Sequence, residues 1–145
     1  MISFTIPVKP VTKKNTPQII PNRGKGRPFF LLPSKQYLAF EKDCLPYLLR
    51  VKREHGVIDY PVNMECVFYT ETKRRVDLAN LLNAVDDAMV KAELIQDDNR
   101  DIIAGHDNSR VFYDKFNPRI EVKITELKDY NQWNNTKDKQ LKIGD

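Results

Sequence analysis

Acidic residues are absent from the first 40 positions of the chain, although the same segment contains seven cations. These cations are Lys9, Lys13, Lys14, Arg23, Lys25, Arg27 and Lys35. A segment whose charged residues are all positive favours a phosphate-rich partner. A merely solvated loop is the alternative, and the sequence leaves it open. The run from Pro10 to Pro33 is nevertheless long for a compact domain, and long loops of this kind are usually functional or mobile.

Long apolar runs are also absent, since no stretch of about 18 apolar residues occurs, and this excludes a transmembrane helix. The first ten residues alternate as a strand does and do not resemble a secretory signal. Cys44 and Cys66 are isolated cysteines without metal-ligand spacing. They predict reduced thiols and a cytoplasmic protein, with no disulfide framework and no membrane partner.

Common catalytic patterns are missing as well. No Ser/His/Asp or Cys/His arrangement has a convincing local context, which disfavours covalent nucleophilic catalysis. The run from Arg23 to Arg27 contains two glycines, but it is too short for a phosphate-binding loop. Internal repeats are absent. A length of 145 residues, 41% hydrophobic and 30% charged, fits one globular domain.

Apolar periodicity predicts two main helices and several strands. The predicted helices run over 35–53, with Ser34 as N-cap, and from Asp77 onward. The predicted strands are 2–8, 63–70, 101–106 and 119–126, and the stretch 110–113 is apolar and aromatic. This order predicts an α/β fold, a single domain with a mixed sheet packed against the two helices. We expect the domain to span residues 1–128 and residues 129–145 to form a polar C-terminal tail.

The second helix lies at the centre of the most informative stretch, which runs from Lys73 to His106. Its apolar stripe consists of Leu78, Leu81, Leu82, Val85, Met89 and Ala92. Asp77 precedes the stripe, where a short acidic side chain can cap the helix. Three consecutive cations, Lys73, Arg74 and Arg75, come just before it. We expect them to flank the path of a nucleic-acid strand, with the loop cations Lys13, Lys14, Lys25 and Arg27 extending the same surface.

Two further carboxylates, Asp97 and Asp98, follow the helix. Each aspartate alone is explained by a cap or a turn. Together, however, a helix-start Asp and an Asp pair joined by one helix are expected to lie close to one another. Converging carboxylates repel unless a hard cation such as Mg²⁺ neutralises them. Such a site suits phosphodiester hydrolysis, because the metal activates water and stabilises charge on the phosphate.

The segment Arg74 to Leu81, followed by Asp87-Ala88 and Asp97-Asp98, resembles the signature of RusA-type Holliday-junction resolvases. The resemblance implies a small α/β homodimer, often encoded by a phage or prophage. It further implies an endodeoxyribonuclease that uses Mg²⁺, with Mn²⁺ as a substitute, to cut four-way DNA junctions in recombination and repair. By this resemblance Asp77 and Asp98 match essential catalytic positions. The implied metal ligands are Asp77, Asp87, Asp97 and Asp98.

Two positions depart from the family pattern. Ala79 stands where a second Asp is common, and Asn83 stands where a Lys is common. Neither can supply the missing carboxylate or positive charge. Either another residue completes the site, with Asp87 and His106 as candidates, or the protein is a catalytically degenerate junction-binding protein. For His106 itself, a structural role and a role as ligand or proton carrier both stay open. A metalloprotein that binds a nucleotide is a third interpretation.

Overall fold

The computed structural model describes residues 1–12, 18–21, 26 and 29–130, with the Phe30 side chain left out. Its elements are β1 (Ile2–Ile6), β2 (Gln18–Pro21), β3 (Phe29–Leu32), α1 (Lys35–His55), β4 (Val62–Thr70), α2 (Leu78–Lys91), β5 (Ile103–Gly105), β6 (Arg110–Tyr113) and β7 (Arg119–Glu126). The predicted tail from residue 131 onward, with the loop cations Lys13, Lys14, Lys25 and Arg27, lies outside the described residues.

The main sheet is mixed. β7 lies between β1 and β4 and is antiparallel to both. The other edge of β4 pairs in parallel with β5 at its start and with β6 at its end. Together with the two helices, this sheet confirms the predicted single-domain α/β fold. Because β4 and β6 are parallel, their carboxyl ends lie at the same end of the sheet.

The core lies between one face of the sheet and the two helices. Alternate residues of β4, from Val62 to Phe68, are fully buried, and alternate residues of β7, from Ile120 to Ile124, meet them. Because side chains of a strand alternate between faces, this period of two marks a sheet with one packed side. The apolar stripe of α2 and the inner face of α1 cover that side.

Both predicted helix caps are present. The Ser34 Oγ accepts a hydrogen bond from the Tyr37 N–H at 3.1 Å, and Asp77 Oδ1 accepts one from the Ala79 N–H at 2.9 Å. These bonds satisfy donors that have no partner within the first turn of a helix. Helix α1 continues two residues past the predicted end and stops at Gly56, whose φ of 79° favours glycine.

A hairpin replaces part of the predicted loop from Pro10 to Pro33. β2 and β3 pair antiparallel and form a small second sheet. The prediction of an unstructured loop was therefore wrong at these eight residues. The hairpin is hard to predict from the sequence, because each strand has only four residues and β2 ends in a proline.

Two other predictions concern thiols and membranes. Cys44 and Cys66 are both free and buried. Burial raises the pKa of the Cys44 thiol to about 12, so the thiol stays protonated. No helix among the described residues is long and apolar enough to cross a membrane.

Candidate active site

Helix α2 holds the predicted site residues at two separate places. Asp77 caps its first turn, while Asp87 lies ten residues further on and Asp97 and Asp98 follow the helix. At 1.5 Å per residue, Asp77 and Asp87 are about 15 Å apart along the axis, and the 14-residue helix is about 21 Å long. The helix therefore keeps Asp77 away from Asp87, which lies near its other end.

The acidic group, which we define as Asp87, Asp97 and Asp98, lies at the carboxyl end of α2. Asp87 and Asp98 line one open surface cavity with Tyr37 and Glu41 of α1. The pKa of Asp98 is raised, first by partial burial and then by the neighbouring carboxyls of Asp97 and Asp87. Like charges thus crowd at this end of the helix, which is the condition that a bound cation relieves.

Asp97 also has a local structural role in this group. Its Oδ1 accepts a hydrogen bond from the Asp98 N–H at 2.7 Å, and its Oδ2 accepts one from the Asn99 side chain at 3.2 Å. These bonds fix the turn that carries Asp98. The turn role and a ligand role are compatible, because a carboxylate has about four acceptor positions.

Convergence of Asp77 with the acidic group, expected from the sequence, does not occur within one chain. In the part of the chain that the structure describes, no three His, Cys, Asp or Glu side chains are arranged to hold a metal ion. The expectation was wrong because a rigid helix separates its two ends by its full length. The assignment of Asp77, Asp87, Asp97 and Asp98 as site residues stays a prediction.

Cations surround the amino end of α2, where Asp77 lies. Arg74 and Arg75 line a cavity of about 350 Å³ together with Lys9, between the segment that follows β1 and the start of the helix. Lys9 forms an ion pair with Glu71. The Lys73 ammonium lies 5.1 Å from the centre of the Tyr113 ring. This end of α2 is therefore basic, whereas the other end is acidic.

His106 has a buried partner that sequence reasoning missed. Its Nε2 lies 2.9 Å from Oδ2 of Asp86, and its Nδ1 lies 3.0 Å from the Met64 carbonyl oxygen. Because a carbonyl only accepts, Nδ1 is the donor in the second bond. Both ring nitrogens are thus engaged, and this geometry assigns His106 a structural role. The sequence does contain a sign of this contact, because Asp86 is a carboxylate on the core face of α2, between Leu82 and Met89, and a buried carboxylate needs a partner.

The pKa values of this pair follow from its surroundings. Burial raises the pKa of Asp86, and the hydrogen bond and charge of His106 offset only part of that effect. Burial lowers the pKa of His106, but the hydrogen bond and charge of Asp86 outweigh it, so that its pKa lies above the ordinary value. The pair ties the residue after β5 to the helix turn that also carries Asp87.

The two departures from the family pattern are on the surface. Ala79 and Asn83 are exposed on α2, one turn apart. Packing within one chain therefore does not dictate either residue, and a single chain has room for larger or charged side chains at both positions.

The model of the family described as endodeoxyribonuclease RusA matches residues 7–125, which span both helices, the basic run before α2 and the acidic group. A search of the curated proteins gives no match. The match covers most of the chain and includes both ends of α2. The chain therefore belongs to the RusA family of endodeoxyribonucleases.

Proposed function

We propose that this protein is a Mg²⁺-dependent endonuclease that cuts four-way DNA junctions in recombination and repair, with an active site shared between two copies of the chain. The observation that carries the proposal is the division of the site residues between the two ends of α2, in a chain of an endodeoxyribonuclease family. One end supplies Asp77 and cations, and the other supplies the acidic group.

A second copy of the chain would bring the two groups of site residues together. A twofold axis that crosses α2 near its middle reverses the helix direction, so the amino end of one copy faces the carboxyl end of the other. The point midway between Asp77 and Asp87 falls at Leu82, next to the exposed Asn83. The homodimer thus gives two equivalent sites.

The carboxylates suit a hard cation. Asp87 and Asp98 of one copy, with Asp77 of the second copy, would supply oxygen ligands of the kind that Mg²⁺ and Mn²⁺ prefer. A bound Mg²⁺ would activate water and neutralise charge on the phosphate. Arg74 and Arg75 lie beside Asp77 and would bind the phosphates that flank the cut bond, because a guanidinium can donate two parallel hydrogen bonds to a phosphate.

A second candidate function rests on Ala79 and Asn83. If these residues remove a needed carboxylate and a needed cation, the protein binds branched DNA without cutting it. The basic end of α2 serves either function, so binding alone does not separate them.

A cleavage assay separates them. The substrates are a labelled four-way junction and a duplex with the sequence of one pair of arms, each with Mg²⁺ and then with EDTA. We expect metal-dependent cuts near the branch point of the junction and little cutting of the duplex. Asp98→Asn should bind the junction without cutting, while Glu54→Gln, which removes an exposed charge at the end of α1, should cut normally. Tight binding without cleavage in either Mg²⁺ or Mn²⁺ supports the second function. Equal binding of junction and duplex contradicts both.

A further inference from the structure

Aromatic side chains are concentrated on the surface where β6 turns into β7. Phe112 is 51% exposed, Tyr113 is 46% exposed and Phe116 is 90% exposed. We call these three residues the aromatic turn. Phe112 and Tyr113 are consecutive in β6 and therefore project to opposite faces of the sheet, so Phe116, at the turn, is the most exposed of the three rings. An aromatic ring that is almost fully exposed at the tip of a turn is available for a partner to contact.

The turn is held rigidly in this position. Asp114 Oδ1 accepts hydrogen bonds from the backbone N–H groups of Phe116 at 3.3 Å and Asn117 at 3.2 Å. Its Oδ2 accepts one from Arg119 Nη1 at 2.9 Å, and this bond is the largest cause of the lowered pKa of Asp114. Asp114 therefore stays ionised. Because the turn is already ordered, a partner that contacts Phe116 loses little conformational entropy.

Cations lie among these rings. The ammonium groups of Lys73 and Lys115 are 5.1 Å from the Tyr113 ring centre and 5.6 Å from the Phe116 ring centre. Neither ammonium has an ion pair with a carboxylate of the described residues, whereas Arg119 is paired with Asp114. Aromatic faces with adjacent cations bind unpaired nucleotides, because the rings stack on bases and the cations attract phosphates. A second copy of the same cationic surface would be repelled.

The parallel pairing of β6 with β4 places the aromatic turn near the basic end of α2. Tyr113 lies opposite Thr70, and the Asp114 N–H donates to the Thr70 carbonyl at 2.8 Å. Three residues after Thr70, the chain reaches Lys73, and it then continues through Arg74 and Arg75 to Asp77. The turn thus lies beside the residues proposed to hold the DNA strand that is cut.

We propose that Phe116 stacks on a base that is unstacked at the branch point of the junction, and that the aromatic turn distinguishes branched DNA from plain duplex. This inference rests on the proposed function and adds the feature of the substrate that is recognised. A plain duplex offers no free base face at its interior, so the same contact is not available there.

The test uses a four-way junction with 2-aminopurine at the branch point, in EDTA so that no strand is cut. Binding of the wild-type protein should raise the fluorescence as the labelled base leaves the stack. Phe116→Ala should lose most of this rise and weaken junction binding about 5- to 150-fold, the range expected for one stacked base. Its affinity for duplex should stay nearly unchanged. Phe116→Tyr, which keeps a ring, should behave as the wild type.

Val57→Ala serves as the matched control, because Val57 is an exposed apolar residue in the loop after α1. A fluorescence rise and junction affinity that survive Phe116→Ala would overturn the inference and leave the proposed function intact, provided that the wild type still cuts junctions. A change from dimer to monomer in sedimentation of Phe116→Ala would overturn it in favour of an interface between copies. A wild-type protein that does not bind junctions would overturn the inference together with the proposed function.

Discussion

Asp86 is a carboxylate within the core face of α2, and its burial requires a partner. Transfer of an ionised carboxylate from water to a protein interior is costly unless hydrogen bonds and an opposite charge compensate. His106 provides both, and Met64 fixes the orientation of the imidazole. Asp86 directly precedes Asp87 in the sequence, so its contact with His106 also fixes the helix turn from which Asp87 projects.

The pair predicts a pH dependence of stability. The raised pKa of His106 means that the folded protein holds this proton more tightly than the unfolded chain does. Its stabilising effect is complete below the unfolded value of about 6.5 and is lost as the pH rises through the higher folded value. The raised pKa of Asp86 acts in the same direction at lower pH. The free energy of unfolding, measured by urea titration, should therefore fall as the pH rises from below about 6.5 to above the higher folded value.

Substitution of the two histidines tests this prediction. His106→Gln should be less stable than the wild type at pH 6 and should lose most of the fall in stability at higher pH. The chain has two histidines, and His55 at the end of α1 is exposed, so His55→Gln is the matched control. An unchanged pH dependence in His106→Gln would show that the Asp86 pair does not hold the proton.

At the scale of elements, α2 acts as a spacer with opposite charges at its two ends. Arg75→Ala, at the basic end, should weaken junction binding and reduce the slope of log affinity against log salt by about 0.9, the value for one phosphate contact. Arg53→Ala, which removes an exposed cation at the end of α1, should leave the slope unchanged. Folding should be unaffected in both. If Arg75 only balances nearby carboxylates in surface pairs worth about 0–1 kcal/mol, its removal will change neither affinity nor slope.

Substitutions at Ala79 and Asn83, two exposed residues of α2, test whether the protein binds junctions without cutting them. Ala79→Asp combined with Asn83→Lys should not destabilise the fold, because both side chains point to solvent. An acidic residue in the first turn of a helix even contributes about 0.3–1 kcal/mol. If the wild-type site is complete, a double variant that still sediments as a dimer should cut junctions at a similar rate. A large gain over an inactive wild type, measured with the same junction and Mg²⁺, would favour the non-cutting protein.

At the scale of the whole molecule, local features were predictable from the sequence and distant contacts were not. The helices, the caps at Ser34 and Asp77 and the strands β4 and β7 follow from periodicity and from side chains near the backbone groups they satisfy. The Asp86–His106 contact joins residues 20 positions apart, and the parallel pairing of β6 with β4 joins residues 43 positions apart. Such contacts depend on how elements pack, which periodicity does not specify.

The arrangement of the candidate site shows the same limit. The sequence suggested four aspartates as site residues, which stays a prediction, and it also suggested that one chain brings them together. Asp87 lies on the predicted helix itself, so the ten residues from Asp77 to Asp87 already set an axial separation of about 15 Å. The position of the proposed second copy cannot be read from the periodicity of one chain.

Mixing two inactive variants tests the shared site most directly. In a mixed dimer of Asp77→Asn and Asp98→Asn, one site keeps both wild-type residues and the other carries both substitutions. Each variant alone should be inactive, and the mixture should cut one strand of a four-way junction in Mg²⁺ without making paired cuts. A mixture that stays inactive, although differently tagged copies are shown to form mixed dimers and the wild type cuts, would contradict a site built from two chains.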